Sequence, residues 1–373
     1  MIVYLKMKTI AIIGASYLQR PLVERAKEMG LRTICFAWAE GAVCKDLCDV
    51  FYPISITEKE QILHICREEH IDGICTIGSD VAAPTVAYVA EQMGLTGNNY
   101  EAAVRAHEKH LMREAFMKAD IPCPHFMRVH RSGDDWMKGL AEHGLALPLI
   151  VKPSDRSGSL GVQRITQWEE LEAAVRRALE VSIIGEALIE EYIDGREISV
   201  EMISCRGIHY ALQITDKVTT GAPHFVELEH HQPSDLPAEM QAKIFEITRR
   251  ALDALGITNG ASHSEYKITS EGRIAVMEIG GRMGGDFIGS DLVKLSTGYD
   301  FVEGVIRVAL GEIIHPEPKQ IGSSSVIFDA PENVSCSGER TGYHIYQNGR
   351  LVISNQQLAI SNQQSAISNL NHV

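Results

Sequence analysis

Lys152-Pro153-Ser154-Asp155-Arg156-Ser157-Gly158-Ser159-Leu160-Gly161-Val162 follows directly on the apolar run Leu147-Pro148-Leu149-Ile150-Val151. A second alternating stretch, Val162-Gln163-Arg164-Ile165, comes after it. The pattern reads strand, loop, strand, with a lysine closing the first strand and small residues in the loop. Small side chains let backbone N–H groups close on phosphate oxygens, and an ammonium offsets the phosphate charge. The same composition also suits a plain mobile hairpin. The rest of the chain decides between the two.

Upstream, Thr9–Ile13 predicts a short buried strand ending at Gly14-Ala15-Ser16. Helix Pro21–Met29, strand Thr33–Phe36, helix Glu58–Glu69, strand Gly73–Ile77 and helix Ala83–Met93 follow, the last strand ending at Gly78-Ser79-Asp80. Such alternation predicts a doubly wound parallel sheet. Gly14 has no further glycines in G-x-G-x-x-G register, which counts against a nicotinamide dehydrogenase. Downstream, Glu101–Ala119 reads as a charged helix broken by Ile121-Pro122-Cys123-Pro124, and Trp168–Leu179 as another helix. Ala187–Leu212 predicts several strands, and Leu236–Leu255 a long amphipathic helix ended by Gly256. Ser262–Ile268 and Arg273–Ile279 read as paired strands, followed by a glycine-rich loop and helical sequence to Leu310. In the tail, Ile353-Ser354-Asn355-Gln356-Gln357-Leu358-Ala359 nearly repeats at Ile360–Ala366. Glutamine in the seam positions and no flanking charge predict a low-complexity terminus, not a coiled coil.

With 373 residues, 45% of them apolar and 23% charged, the chain fits a globular protein of two or three domains. A net charge of −14 excludes a general nucleic-acid or anionic-membrane surface but not a local basic pocket. The eight cysteines are scattered, as reduced thiols are, and Cys44-x3-Cys48 with Cys35 lacks the second Cys/His pair that zinc needs. Ile10–Ile13 is too short for a signal peptide, Met7 offers an alternative start, and no apolar run has membrane-spanning length. The expected location is the cytoplasm.

Chemistry gathers in three further blocks. Glu190-Glu191-Tyr192-Ile193-Asp194-Gly195-Arg196-Glu197 offers an extended backbone for an adenine edge and, at Glu197, an acceptor for ribose hydroxyls; read alone, it is equally an acidic edge strand with a turn. In His263-Ser264-Glu265-Tyr266-Lys267, alternation puts His263, Glu265 and Lys267 on one strand face. Glu278 follows in Met277-Glu278-Ile279-Gly280-Gly281-Arg282-Met283-Gly284-Gly285-Asp286. Two carboxylates late in neighbouring strands make a hard oxygen site suited to Mg²⁺ bridging phosphates, and Arg282 can fork onto phosphoryl oxygens.

In this order the blocks resemble the ATP-grasp superfamily, most closely its carboxylate–amine (L-amino acid) ligase branch. The likeness runs from Lys8 to about Leu310 and includes Glu108-Lys109-His110-Leu111-Met112-Arg113 before the proline turn. It implies an α/β chain: an N-terminal doubly wound parallel sheet (1–99) and then a two-subdomain α+β ATP-grasp fold (100–312). A mobile lid spans about 125–188, with a C-terminal segment (313–352) and a tail (353–373) beyond. It implies Lys109 and Lys152 on the phosphates, with Ser157, Gly158, Ser159 and Gly161 in the lid loop. It places Glu190, Glu191 and Ile193 at adenine, Glu197 at ribose, Glu265 and Glu278 on Mg²⁺, and Arg282 on the transferred phosphoryl group. Thr219–Ser234 resembles the amino-acid pocket of that branch, which carries over to Glu227 and His230. Many family members have Asn two residues after the second metal glutamate, where this chain has Gly280, a departure that removes an amide ligand for a second Mg²⁺. The implied activity uses ATP to join a small carboxylate, an amino acid's, to an amine through an acyl phosphate, with a homodimer as the family-level expectation. Alternatives are a bicarbonate- or purine-pathway ligase like biotin carboxylase or glycinamide ribonucleotide synthetase, and a non-catalytic nucleotide-binding relative.

Overall fold

Five consecutive buried residues make Thr9–Ile13 (β1) the kind of strand that must be covered on both faces. In the computed structural model, which describes residues 7–130, 136–156, 158, 160–221, 225–329 and 340–355, it is so covered. β1 pairs in parallel with Arg32–Phe36 (β2) and Gly73–Cys75 (β4), and Val50–Tyr52 (β3) completes the order β3-β2-β1-β4. Alternate residues feed two cores. Ala11, Ile13, Ile34 and Phe36 pack with Ile62 and Val89 of the flanking helices. Ile10, Ile12 and Cys35 pack with Leu22 and with Phe301, Val305 and Ile306 of helix Phe301–Ala309, far along the chain.

Phe126–His130 (β5), Leu149–Pro153 (β6), Gln163–Ile165 (β7) and Glu186–Glu191 (β8) form a separate antiparallel sheet in the order β5-β8-β6-β7. The lysine-ended strand and its successor are thus the hairpin β6–β7. Helix Trp168–Val181 opens with a capping box between Gln167 and Glu170 and buries Leu171, Ala174 and Val175 against this sheet. The unit therefore has a core of its own.

Arg196–Cys205 (β9), Ile208–Thr219 (β10), Glu227–Gln232 (β11), Gly260–Ile268 (β12) and Ile274–Gly280 (β13) join Ser324–Asp329 (β14), Gly342–Gln347 (β15) and Arg350–Asn355 (β16) in one eight-stranded antiparallel sheet. Its order is β13-β12-β9-β10-β11-β14-β15-β16. Helix Ala238–Leu255 lays Ile244, Ala251 and Leu252 on this sheet and stops at Gly256.

Three sequence expectations change. The helix expected over Glu101–Ala119 is two, Tyr100–His107 and Lys109–Lys118, because Glu108 is extended (φ −88°, ψ 111°) and frees the Lys109 N–H to donate to Ser154 O at 2.8 Å. The segment 313–352, read without structure, supplies strands to the large sheet. β16 runs to Asn355, into the stretch assigned to the tail; residues 356–373 lie outside the described ones. Among the described residues no helix is long and apolar enough to cross a membrane, and the described cysteines are free thiols.

Candidate active site

Antiparallel register puts Glu265 of β12 directly opposite Glu278 of β13, with a bulge immediately after Glu265. Bulges re-aim side chains, and this one sits where the two carboxylates meet. Each already has a lysine. Lys109 Nζ lies 2.9 Å from Glu278 Oε1 and also donates to Arg156 O at 2.6 Å. Lys217 of β10 bridges Glu265 Oε1 at 2.6 Å and Glu227 Oε1 at 2.5 Å. Its ammonium holds Glu265 well below the usual carboxylate range. Lys217 is itself held protonated against burial by Glu227 and Glu265.

Lys152, at the end of β6, is buried with its Nζ 2.7 Å from Glu190 Oε2. Glu190 also receives the Arg113 Nε at 2.8 Å, and Arg113 Nη2 donates to Met277 O. Burial pulls the Lys152 ammonium down, while Glu190 opposes the shift. Thus Glu190, expected at adenine, has its carboxylate committed to two cations. Beyond it the N–H groups of Glu191 and Tyr192 donate to His125 O and Pro148 O, whereas Ile193 N–H has no partner among the described residues. Glu197 pairs with Lys267 at 2.6 Å. The base of the loop after Lys152 is pinned: Asp155 accepts from Ile183 and Ile184 N–H, and Arg156 Nε donates to Val181 O. Gly158 and Gly161 take positive φ there; Ser157 and Ser159 lie outside the described residues.

Arg282 leaves the end of β13 and meets Asp80 from the N-terminal sheet, Nη2 to Oδ2 at 2.5 Å. Burial works against its charge, but Asp80 raises its affinity for the proton. Met283 bridges Ile77 in parallel fashion, so the β13 loop docks on the end of the N-terminal sheet. Gly280 has a steric reason: a Cβ there would stand 2.5 Å from Asp80 Oδ1. The place of an asparagine side chain is taken by the Asp80–Arg282 pair. Gly284 is equally constrained, with a Cβ 2.7 Å from His263 Nδ1. His263 hydrogen-bonds Glu201, whose other oxygen accepts from Gly284 N–H at 3.1 Å. Burial alone would lower the imidazole, yet Glu201 raises it to about 9.

Glu227 and His230 share β11, with His230 Nε2 3.0 Å from Glu227 Oε2. Beside them lie Asp286, which with Phe287 takes the left-handed backbone conformation, and Arg340, 2.8 Å from Asp286. The structure brings together both glutamates, the arginine and both lysines that the sequence singled out. Among them stand Arg113, Lys217, Asp80 and Arg340, which the sequence did not single out. Lys217 had a signal, a lone cation on the buried face of an alternating strand; Arg340 had none, lying in the segment read without structure.

A family model described as ATP-grasp domain matches residues 145–291. Alanine–anticapsin ligase of Bacillus subtilis (strain 168) is 31% identical over 248 residues, 61% of this chain and 51% of that protein. The chain thus spans about half the length of that relative. D-alanine–D-alanine ligase of Geobacter sulfurreducens is 30% identical over 253 residues, covering 64% of this chain and 76% of that one. The crystal structure of L-amino acid ligase from Bacillus licheniformis superposes with a TM-score of 0.74 at 25% identity, over 87% of this chain and 81% of that one.

Proposed function

The chain belongs to the ATP-grasp family, and from that premise we propose that it joins a small carboxylate, that of an amino acid, to an amine through an acyl phosphate, converting ATP to ADP and phosphate. The observation that carries this reading is the facing pair Glu265 and Glu278 beside Arg282, with a buried lysine on each carboxylate. The donor set fits the groups the family uses. Carboxylate oxygens alone suit Mg²⁺, and buried ammoniums suit a polyphosphate. When bound, Mg²⁺ would neutralise charge on the transferring phosphoryl group.

In this reading Lys109 and Lys152 hold the phosphates, and Glu190 with Arg113 keeps Lys152 in place. The free Ile193 N–H faces adenine and Glu197 the ribose. The β5–β8 sheet, which carries the loop after Lys152, closes over the site and keeps water from the acyl phosphate. Arg282, aimed by Asp80, stabilises charge on the phosphoryl oxygens. Glu227 takes the substrate ammonium and His230 lies along the acyl group. No nucleophilic side chain is needed, because phosphoryl transfer depends on positioning and charge neutralisation. The free thiols suit a reducing compartment such as the cytoplasm.

Hydroxylamine with MgATP and a panel of amino acids tests the proposal. An acyl hydroxamate forms with at least one of them, and Lys152→Ala abolishes it. Absence of hydroxamate and of ADP release across amino acids and other small carboxylates rejects the ligase reading.

A further inference from the structure

Arg340, just ahead of β15, is only 6% exposed. Its Nη2 donates to Asp286 Oδ2 at 2.8 Å, and its guanidinium carbon stands 4.0 Å from the centre of the Phe328 ring. Its Nη1 has no hydrogen-bond partner among the described residues. A guanidinium presents five N–H donors in a rigid fork, and leaving a buried one unmet is costly. The surroundings show where that donor stands. Ligand atoms of Glu227, His230 and Asp286 lie within 4.8 Å of one another, and His230 meets Phe328 edge-on with ring centroids 5.5 Å apart. His230 Nε2 faces Glu227 Oε2 at 3.0 Å, and its Nδ1 has no hydrogen-bond partner among the described residues. Tyr17, from the loop after β1, also lies beside Asp286.

Three such donors resemble a metal site, but cations already hold two of them. Lys217 sits on Glu227 and Arg340 on Asp286. A divalent ion would have to displace both, whereas a ligand carrying both signs of charge would not.

We propose that Arg340 receives the side-chain carboxylate of a dicarboxylic amino acid, with Asp286 fixing its fork and Glu227 taking the ammonium. This rests on the amino-acid ligase reading of the site. Strand order arranges the contacts: Glu265 on β12, Lys217 on β10, Glu227 and His230 on β11, Phe328 on β14, then Arg340. The reacting carboxyl belongs at the Glu265 and Arg282 end, and the ammonium at Glu227. What extends from Cα away from these two groups runs over Phe328 to Arg340. Methylenes on the ring and a carboxylate on Nη1 satisfy both. An apolar side chain leaves the donor unmet, and a basic one meets a like charge.

The test is calorimetric binding of L-glutamate, L-aspartate and L-norvaline to the full chain with Mg²⁺ and a non-hydrolysable ATP analogue, with ADP release from MgATP measured in parallel. One of the two acids binds tighter than norvaline by about a hundredfold or more, the scale on which a hydrogen-bonding site rejects an analogue lacking its partner. Arg340→Met removes that preference, and Arg340→Lys keeps part of it. Asp286→Asn separates a receiving guanidinium from a structural ion pair: it retains or tightens acid binding, whereas loss of a mere strut harms both variants alike. Equal affinity of wild type for acids and norvaline, or parallel losses in Arg340→Met and Asp286→Asn, overturns the proposal. Arg340-dependent acid binding without ADP release supports it and counts against the ligase reading alone. ADP release with norvaline as fast as with the acids, unmoved by Arg340→Met, overturns it and leaves the ligase reading standing.

Discussion

Glu190 is a carboxylate shared by Arg113 and Lys152, and all three side chains are buried. Removing the shared anion leaves two buried cations facing each other without compensation. Breaking a buried ion pair from one side costs about 3–5 kcal/mol. Glu190→Ala is therefore expected to lower the unfolding free energy measured by urea titration by that amount. Glu190→Gln, which keeps the acceptor oxygen, should lose less. Equal midpoints for wild type and Glu190→Ala would show that the triad contributes nothing to folding, leaving it only a role in holding Lys152. The same logic explains why the lysines do not stand as free charges: each carboxylate in the site is met by a cation from another element, so the site is close to neutral as folded.

At the scale of strands, β9 and β12 carry Glu201 and His263 as direct cross-strand partners. Glu201 holds the His263 imidazole at a pKa of about 9 in the folded chain, above its ordinary 6.5. A group whose pKa is raised on folding favours the folded state fully below its unfolded value. That contribution fades as pH climbs through the folded one. Unfolding free energy should fall on the order of 2–3 kcal/mol between pH 7 and pH 9.5, and melting temperature with it. Glu201→Gln should flatten this slope, and an unchanged slope in that variant would remove His263 as its source.

The strands also show why part of the site was legible. Period-two alternation and a short connection suffice to lay the strands of Glu265 and Glu278 side by side, because both are local and joined by a hairpin; the bulge after Glu265 that sets the two carboxylates directly opposite is not written in the alternation. The Lys152 hairpin is legible for the same reason. Asp80 and Arg282 are separated by 202 residues, and Arg340 and Asp286 by 54. Their meeting depends on which strands adjoin in the eight-stranded sheet and on where its loop docks, and no short-range pattern encodes either. The split at Glu108 escaped for a related cause: helix Lys109–Lys118 begins where it does because its first N–H finds Ser154, a partner from another sheet.

Over the whole molecule, the N-terminal sheet is not an appended module. Helix Phe301–Ala309 closes one of its two cores, Arg25 is paired with Asp300 and Glu303, and Asn98 Oδ1 accepts from Thr258 and Asn259 N–H. Phe301→Ala empties a fully buried ring site shared by the two units and should cost about 3–5 kcal/mol. Amide exchange will report it as an equal loss of protection at Ile10–Ile13 in β1 and at Met202–Ser204 in β9. Loss confined to β9 would mean the N-terminal sheet stands alone. The β5–β8 sheet, with its separate core, is the unit expected to keep its protection in that variant.

The contact between Asp80 and the backbone of Gly280 bears on how such a chain can be recombined. Asp80 fills the space a side chain at 280 would need, so the identities of the two positions are tied although they stand far apart in the sequence. Chimeras with a crossover between 81 and 279 can unite an N-terminal half carrying Asp80 with a partner bearing a larger residue at 280, and those hybrids will misplace Arg282. Crossovers outside that interval transmit the two together. Shuffled libraries of relatives should accordingly show a dead zone for breakpoints across the middle of the chain wherever the parents differ at position 280.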